Sequence, residues 1–252
     1  MAVAGKSAKP RYVYGVVRGG GAPPAVAGIA GADLELVAAD DVAALTSVAP
    51  DAYLEAGREE IFAHSRVLEA ALEGGTVLPM RFGVVLPDAD TLRERLLDEH
   101  HEELAAQLAA MDGKVEFAVK GLYDEAAVLR EIVAEDREVA QLREAIAGKP
   151  EAATYYERIG LGELIASAFA ARAERDAAAI VEELRPRAVA VSVGEPLHER
   201  MAVNASFLVE RKALDRFDAA VEAVGKREAS RMRVRLTGPL PPHSFVELEV
   251  SA

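Results

Sequence analysis

The densest group of side chains able to do chemistry is His100-His101-Glu102-Glu103. A zinc site on a helix needs two ligands on one face, typically His at i and i+4. Adjacent histidines diverge by about 100° around a helix, and His100 with Glu103 has no third ligand nearby. The cluster therefore reads as a solvated helix surface. His64, His198 and His243 sit in no nucleophile pattern, and the chain has no Gly-x-Ser-x-Gly elbow. Gly15 and Gly20 have the spacing of a phosphate-binding loop, which needs Lys and then Ser or Thr directly afterwards; Gly21-Ala22 stand there instead. Gly19-Gly20-Gly21-Ala22-Pro23-Pro24 fails the dinucleotide fingerprint, because Pro24 occupies the third glycine position. The many Glu and Arg residues form the ordinary i,i+4 pairs of solvated helices. With no cysteine, thiolate metal sites, Fe–S clusters and disulfides are excluded. The reading is a non-enzyme, with no catalytic, metal or cofactor-binding residues.

Two other segments stand out. In Val77-Leu78-Pro79-Met80-Arg81-Phe82-Gly83 an arginine interrupts an apolar run. A bare buried charge costs several kcal/mol, so Arg81 is either paired, for instance with Glu69, or brought to a surface. In the second case Met80, Arg81 and Phe82 present a partner-binding surface. Near the end, Thr237-Gly238-Pro239-Leu240-Pro241-Pro242-His243-Ser244-Phe245 should break the last strand, since proline fixes φ and removes a donor. This tail is expected to fold back as a strap anchored by Phe245, or to dock a partner through Pro239, Leu240, Pro241, Pro242 and Phe245.

The elements that must position these residues follow from periodicity. Residues 11–18 read as a strand and 34–38 and 42–48 as a hairpin about Asp40-Asp41. Leu54, Ile61, Leu68 and Leu72 mark a helix capped by Asp51 and stopped at Gly74-Gly75. Residues 76–86 are apolar almost throughout and read as a strand buried on both faces, with Pro79 at a bulge or an edge. A helix follows from Pro87-Asp88, with Leu92, Leu96, Leu97, Leu104, Leu108 and Met111 as its stripe. Residues 114–123 alternate as a half-exposed strand, with Glu116 and Lys120 on the polar side. Then come helices over 124–147 and 153–184, strands over 187–193 and 201–209, a helix over 212–224 and a strand over 231–236.

From residue 114 on, this is the split βαβ, ferredoxin-like order. The first half reads as a shorter version of the same plan, its first helix replaced by the Gly/Pro stretch. The expected fold is α+β in two domains, residues 1–112 and 113–252, the second ferredoxin-like with additional long helices. A length of 252 residues with 51% hydrophobic residues supplies a sizeable core. A net charge of −13 argues against a general nucleic-acid binder. No apolar run is long enough to span a bilayer, and the start lacks a secretory signal, so the expectation is a cytoplasmic protein with no membrane partner.

Leu78-Pro79-Met80-Arg81-Phe82-Gly83, preceded by His64-Ser65-Arg66-Val67-Leu68-Glu69, resembles the signature of the gas vesicle protein F and L family. So do Tyr12-Val13-Tyr14-Gly15-Val16-Val17, Asn204-Ala205-Ser206-Phe207-Leu208-Val209 and the Gly238-Pro239-x-Pro241-Pro242-x-Ser244-Phe245-Val246 tail. Leu240 and His243 stand where that family commonly has aromatic residues, and Phe117-Ala118-Val119-Lys120-Gly121 replaces its usual Trp-Gly-Val-Lys-Val. The resemblance implies a non-enzymatic accessory or minor structural protein of gas vesicle formation. Its implied partners are the small hydrophobic shell protein and other accessory proteins, and its implied location is the cytoplasm and the gas vesicle. A ligand-binding regulatory module built on a ferredoxin-like sheet is the alternative, because fold alone does not decide function.

Overall fold

Val- and Tyr-rich runs with period-2 burial make the strands and Leu- and Ala-rich runs make the helices of this chain, whose computed structural model describes residues 9–50 and 57–246. The chain falls into two units: Met1–Glu116 with Pro239–Ala252, and Phe117–Gly238.

In the first unit β1 (Arg11–Arg18), β2 (Leu34–Ala39), β3 (Val42–Val48) and β4 (Val77–Pro79) form a sheet in the order β2-β3-β1-β4, with β5 (Val85–Leu86) also on β1. β2 and β3 are an antiparallel hairpin turning at Asp40-Asp41, where Asp40 takes the left-handed conformation. Helix α1 (Arg58–Gly74) packs on β1 and buries His64, Val67, Leu68, Ala71 and Leu72 at helical spacing. Its described start is capped by Gly57; the expected cap Asp51 and the stripe residue Leu54 lie outside the described residues. Ile61, expected on the buried stripe, is exposed, because the true stripe runs through His64.

The expected single strand over 76–86 is two short ones. β4 ends at Pro79, on the outer strand, where a residue without an N–H costs least. The chain then loops out through a turn at Phe82-Gly83 and rejoins β1 as β5. The Asp88 carboxylate caps α2 (Ala89–Leu92) by accepting from the Thr91 N–H at 2.7 Å. A π-helical stretch, Arg93–Asp98, lets the adjacent Leu96 and Leu97 both stay buried before α3 (His101–Met111) begins. Leu92, Leu96, Leu97, Leu104 and Leu108 close a core over Val13, Val16, Leu78 and Met80.

The second unit has the sheet order β7-β8-β6-β9, formed by β6 (Lys114–Tyr123), β7 (Ala190–Val193), β8 (Met201–Glu210) and β9 (Met232–Leu240). First and third strands in the centre is the split βαβ arrangement, and the first sheet has the same order. The helix expected over 124–147 is two, α4 (Glu125–Glu135) and α5 (Arg137–Ile146). Asp136 leaves the helical conformation and caps α5 by accepting from the N–H groups of Glu138 and Val139. Helix α6 (Tyr155–Leu184) runs 30 residues and packs on β8, and α4 and α5 also pack against it. With α7 (Leu214–Glu228) the sheet buries a triangle of Phe117, Phe207 and Phe217, with ring centroids 5.2 and 5.5 Å apart for the two pairs made by Phe217. Glu116, expected on the exposed face of β6, is buried at 4% exposure. β9 runs on to Leu240, past the end expected at residue 236, since an edge strand tolerates Pro239.

Candidate partner-binding site

The register of β1 against β3 shifts between Val13 and Gly15, so Tyr14 is the extra residue of a bulge. Gly15 follows because a Cβ there would stand 2.6 Å from the Leu78 carbonyl oxygen. Tyr12 and Tyr14 lie with ring centroids 4.8 Å apart, and the His64 ring stacks on Tyr14 at 5.6 Å. His64 Nδ1 is 2.9 Å from the Tyr12 hydroxyl and Nε2 is 3.2 Å from the Met80 carbonyl oxygen. A carbonyl only accepts, so Nε2 carries the proton and Nδ1 accepts from Tyr12. The Tyr12 oxygen in turn accepts from the Gly83 N–H at 3.0 Å. Gly83 has φ +93°, a conformation that excludes most other residues.

Burial pushes the His64 pKa down to about 4; its bond to Met80 opposes this and the nearby His243 adds to it. Burial pushes Tyr12 up to about 12, against the Gly83 bond. The two groups are a neutral acceptor and donor that hold a loop by its backbone.

On this support Met80 is buried in the core, Phe82 is half-buried with its ring edge-on to Tyr12 and His64, and Arg81 is exposed. No ion pair is made by Arg81 among the described residues: the pairing with Glu69 is not formed, and the side chain is exposed. The reason is the interruption of the strand: Arg81 lies in the loop and its guanidinium stays in water.

The tail does return as a strap, with a different anchor. Pro241 and Pro242 are buried and Phe245 is only half-buried. The fastening is polar: the Ser244 N–H and Oγ donate to the two oxygens of the Glu116 carboxylate at 2.8 and 2.7 Å. A buried carboxylate with two such donors is a strong, directional tie. Pro239 is exposed and Leu240 half-buried. The strap reaches the core under the loop, since Val246 packs against the cluster that contains Met80, as Val84 does. Sequence reasoning missed both His64 and Glu116. His64 was findable from its i, i+3, i+4 spacing to Val67 and Leu68, and Glu116 carried no local signal.

In the second unit Asp176 accepts from Tyr123 and Arg231, and Arg231 also pairs with Glu228 at 2.7 Å. Burial alone would raise the Asp176 carboxyl, and the Arg231 and Tyr123 hydrogen bonds outweigh it and hold it below the usual carboxylate range. This network braces α6 to the strands. Beside it the apolar stripe of α6 is fully buried only at its end, at Ile180, Val181 and Leu184, while Ile165 and Phe169 are half-buried. Tyr155 and Ile159, near the start of the helix, are exposed. Between them α6, the start of α4 and the β7 and β8 strands line an open groove of about 1050 Å³.

In the run read as a solvated helix surface, His100 faces Glu103 at 3.7 Å and His101 reaches Asp41 at 2.8 Å. Among the described residues no helix is long and apolar enough to cross a membrane.

The profile of the family described as "Gas vesicle synthesis protein GvpL/GvpF" matches residues 10–247. Gas vesicle protein F of a Streptomyces species is 39% identical over 94% of this chain and 99% of its own length. Gas vesicle protein L of a Streptomyces species is 30% identical over 93% of this chain and 92% of its own. The crystal structure of gas vesicle protein GvpF from an Anabaena species superposes with a TM-score of 0.82 at 28% identity, covering 96% of this chain and 99% of that one. That of GvpF from Microcystis aeruginosa gives 0.77 at 26%, covering 95% and 99%. The chain belongs to the gas vesicle protein L/F family, and its role lies in gas vesicle formation.

Proposed function

We propose that this chain is an accessory protein that binds the hydrophobic shell protein, and other accessory proteins, in the cytoplasm during gas vesicle assembly. The observation that carries this reading is the apolar surface left uncovered on the second unit. Val189, Val193 and Leu197 are exposed on and beside β7, an outer strand of its sheet. An open edge with exposed apolar side chains is a recurrent way to hold another chain. A carrier with a charge of −13 keeps such a complex in solution. On the first unit, the exposed Arg81 and Pro239, with the half-buried Phe82, Leu240 and Phe245, form a second contact region. Met80, Pro241 and Pro242 serve it from beneath, by fixing its backbone.

The test is co-expression of the tagged chain with shell protein, followed by pull-down at low salt and at about 0.5 M salt, where exposed charge pairs are screened. Retention at both salts is expected, because the contact is apolar or backbone-mediated. Failure to retain shell protein at either salt, with vesicles forming normally after loss of the gene, removes the reading. Retention lost only at high salt moves the contact to the acidic helix faces.

A further inference from the structure

The groove along α6 has a floor and walls of different character. Its floor is the exposed or half-exposed small residues Gly162, Ala166, Ala170, Ala173 and Ala177. Its walls are Ile165, Phe169 and Val181 of the helix, facing Val193, Met201 and Ala202 of the sheet. From Gly162 to Arg185 the lined length is about 35 Å at ~1.5 Å per residue. A floor without side-chain bulk lets another helix approach to about 8 Å between axes, the short end of the packing range. An extended peptide in that trough would leave its own backbone groups unpaired, whereas a helix satisfies them internally.

Charge decides what kind of helix. Of the charged groups lining the groove, Glu182 is satisfied by Arg185 at 2.9 Å. Glu125, Glu174 and Glu199 make no ion pair among the described residues, and Arg200 is the one unpaired guanidinium beside them. Three free carboxylates against one free cation favour an occupant with basic residues along its flanks.

We propose that this groove seats an amphipathic α-helix, apolar on one face and basic along its edges, and that the shell protein supplies it. The proposal rests on the shell-binding reading above and assigns it a site. Its test compares the wild-type chain with Ala170→Lys, Ala166→Lys and a triple Glu125→Gln/Glu174→Gln/Glu199→Gln variant, each co-expressed with shell protein. Both alanines are exposed on a helix, so lysine there is compatible with the fold, and melting temperatures verify it. Each lysine variant should lose at least tenfold of the retained shell protein at both low and high salt. The triple variant should lose severalfold at low salt, with little further change at about 0.5 M, where those charges are already screened. Folded lysine variants that retain shell protein as the wild type does would overturn the groove and leave the shell-binding reading standing. Absence of retention by the wild type would overturn both. A small apolar molecule that raises the melting temperature of the wild type but of neither lysine variant, with shell retention unaffected by either lysine, would reassign the groove to a ligand.

Discussion

His64 is neutral in the folded protein chiefly because it is buried, at 5% exposure, and against its bond to the Met80 carbonyl; its Nδ1 meanwhile accepts from the Tyr12 hydroxyl. Its folded pKa of about 4 lies below the unfolded value of 6.5, so between those limits the unfolded chain binds a proton that the native chain refuses. The stabilisation is complete above pH 6.5 and declines as pH falls towards 4; at pH 5 the loss relative to pH 8 is about 2 kcal/mol. Carboxylates throughout the chain add their own acid slope, so the comparison is with His64→Gln, which keeps one donor and one acceptor. The difference in melting temperature between wild type and His64→Gln should shrink from pH 8 to pH 5; a difference independent of pH would refute the role given to His64. Arg81, next in sequence to the Met80 whose carbonyl His64 holds, calls for the opposite behaviour. Being exposed and unpaired, Arg81→Ala should change stability by no more than about 0.5 kcal/mol. If the loop contacts a partner, vesicle formation should fall at unchanged melting temperature, and normal vesicles with this variant would exclude Arg81 from the contact.

At the scale of elements, Gly15 ties three of them together. It faces β4 and lies within reach of Leu68 on α1, so an added methyl meets the Leu78 carbonyl at 2.6 Å, a backbone atom with no rotamer to give. Gly15→Ala should cost about 1–3 kcal/mol, the usual penalty of overpacking a core, and a melting temperature equal to wild type would mean that β4 moves freely. Periodicity made most such elements legible: β1, β3 and β6 begin and end where alternation and turn residues put them. It failed where one residue overrides a pattern. Asp136 continues an amphipathic sequence yet breaks it, because its carboxylate serves two free N–H groups better than a helical position would. The loop after Pro79 was hidden for the converse reason: its residues are as apolar as a strand's, and the groups that pull it out, His64 and Tyr12, lie far away in sequence. Half of the candidate site was readable as motifs. The other half, including the groove, is made of alanines and glycines, whose importance lies in what is missing from their side chains.

Across the whole molecule the two sheets repeat one strand order, and the chain returns at Pro239 to the unit it left after Glu116. We propose a domain division at Asp112-Gly113, which limited proteolysis should reveal by nicking there or within 148–153; sensitivity confined to 189–208 would contradict it. The return of the chain makes the strap the last piece of the first unit, and its weight can be measured by ending the protein at Gly238. Truncation there removes both donors from the Glu116 carboxylate and uncovers the surface on which Pro241 and Pro242 are buried. Breaking a buried, hydrogen-bonded charge typically costs about 3–5 kcal/mol. For a chain of this size that corresponds to a fall of roughly 10 °C in melting temperature. Because most of the cost is the stranded charge, adding Glu116→Gln to the truncated chain should restore part of the loss, whereas in the full-length chain the same substitution should destabilise. A truncated chain that melts with the wild type, or one that Glu116→Gln weakens further, would show that the strap lies on the first unit without holding it.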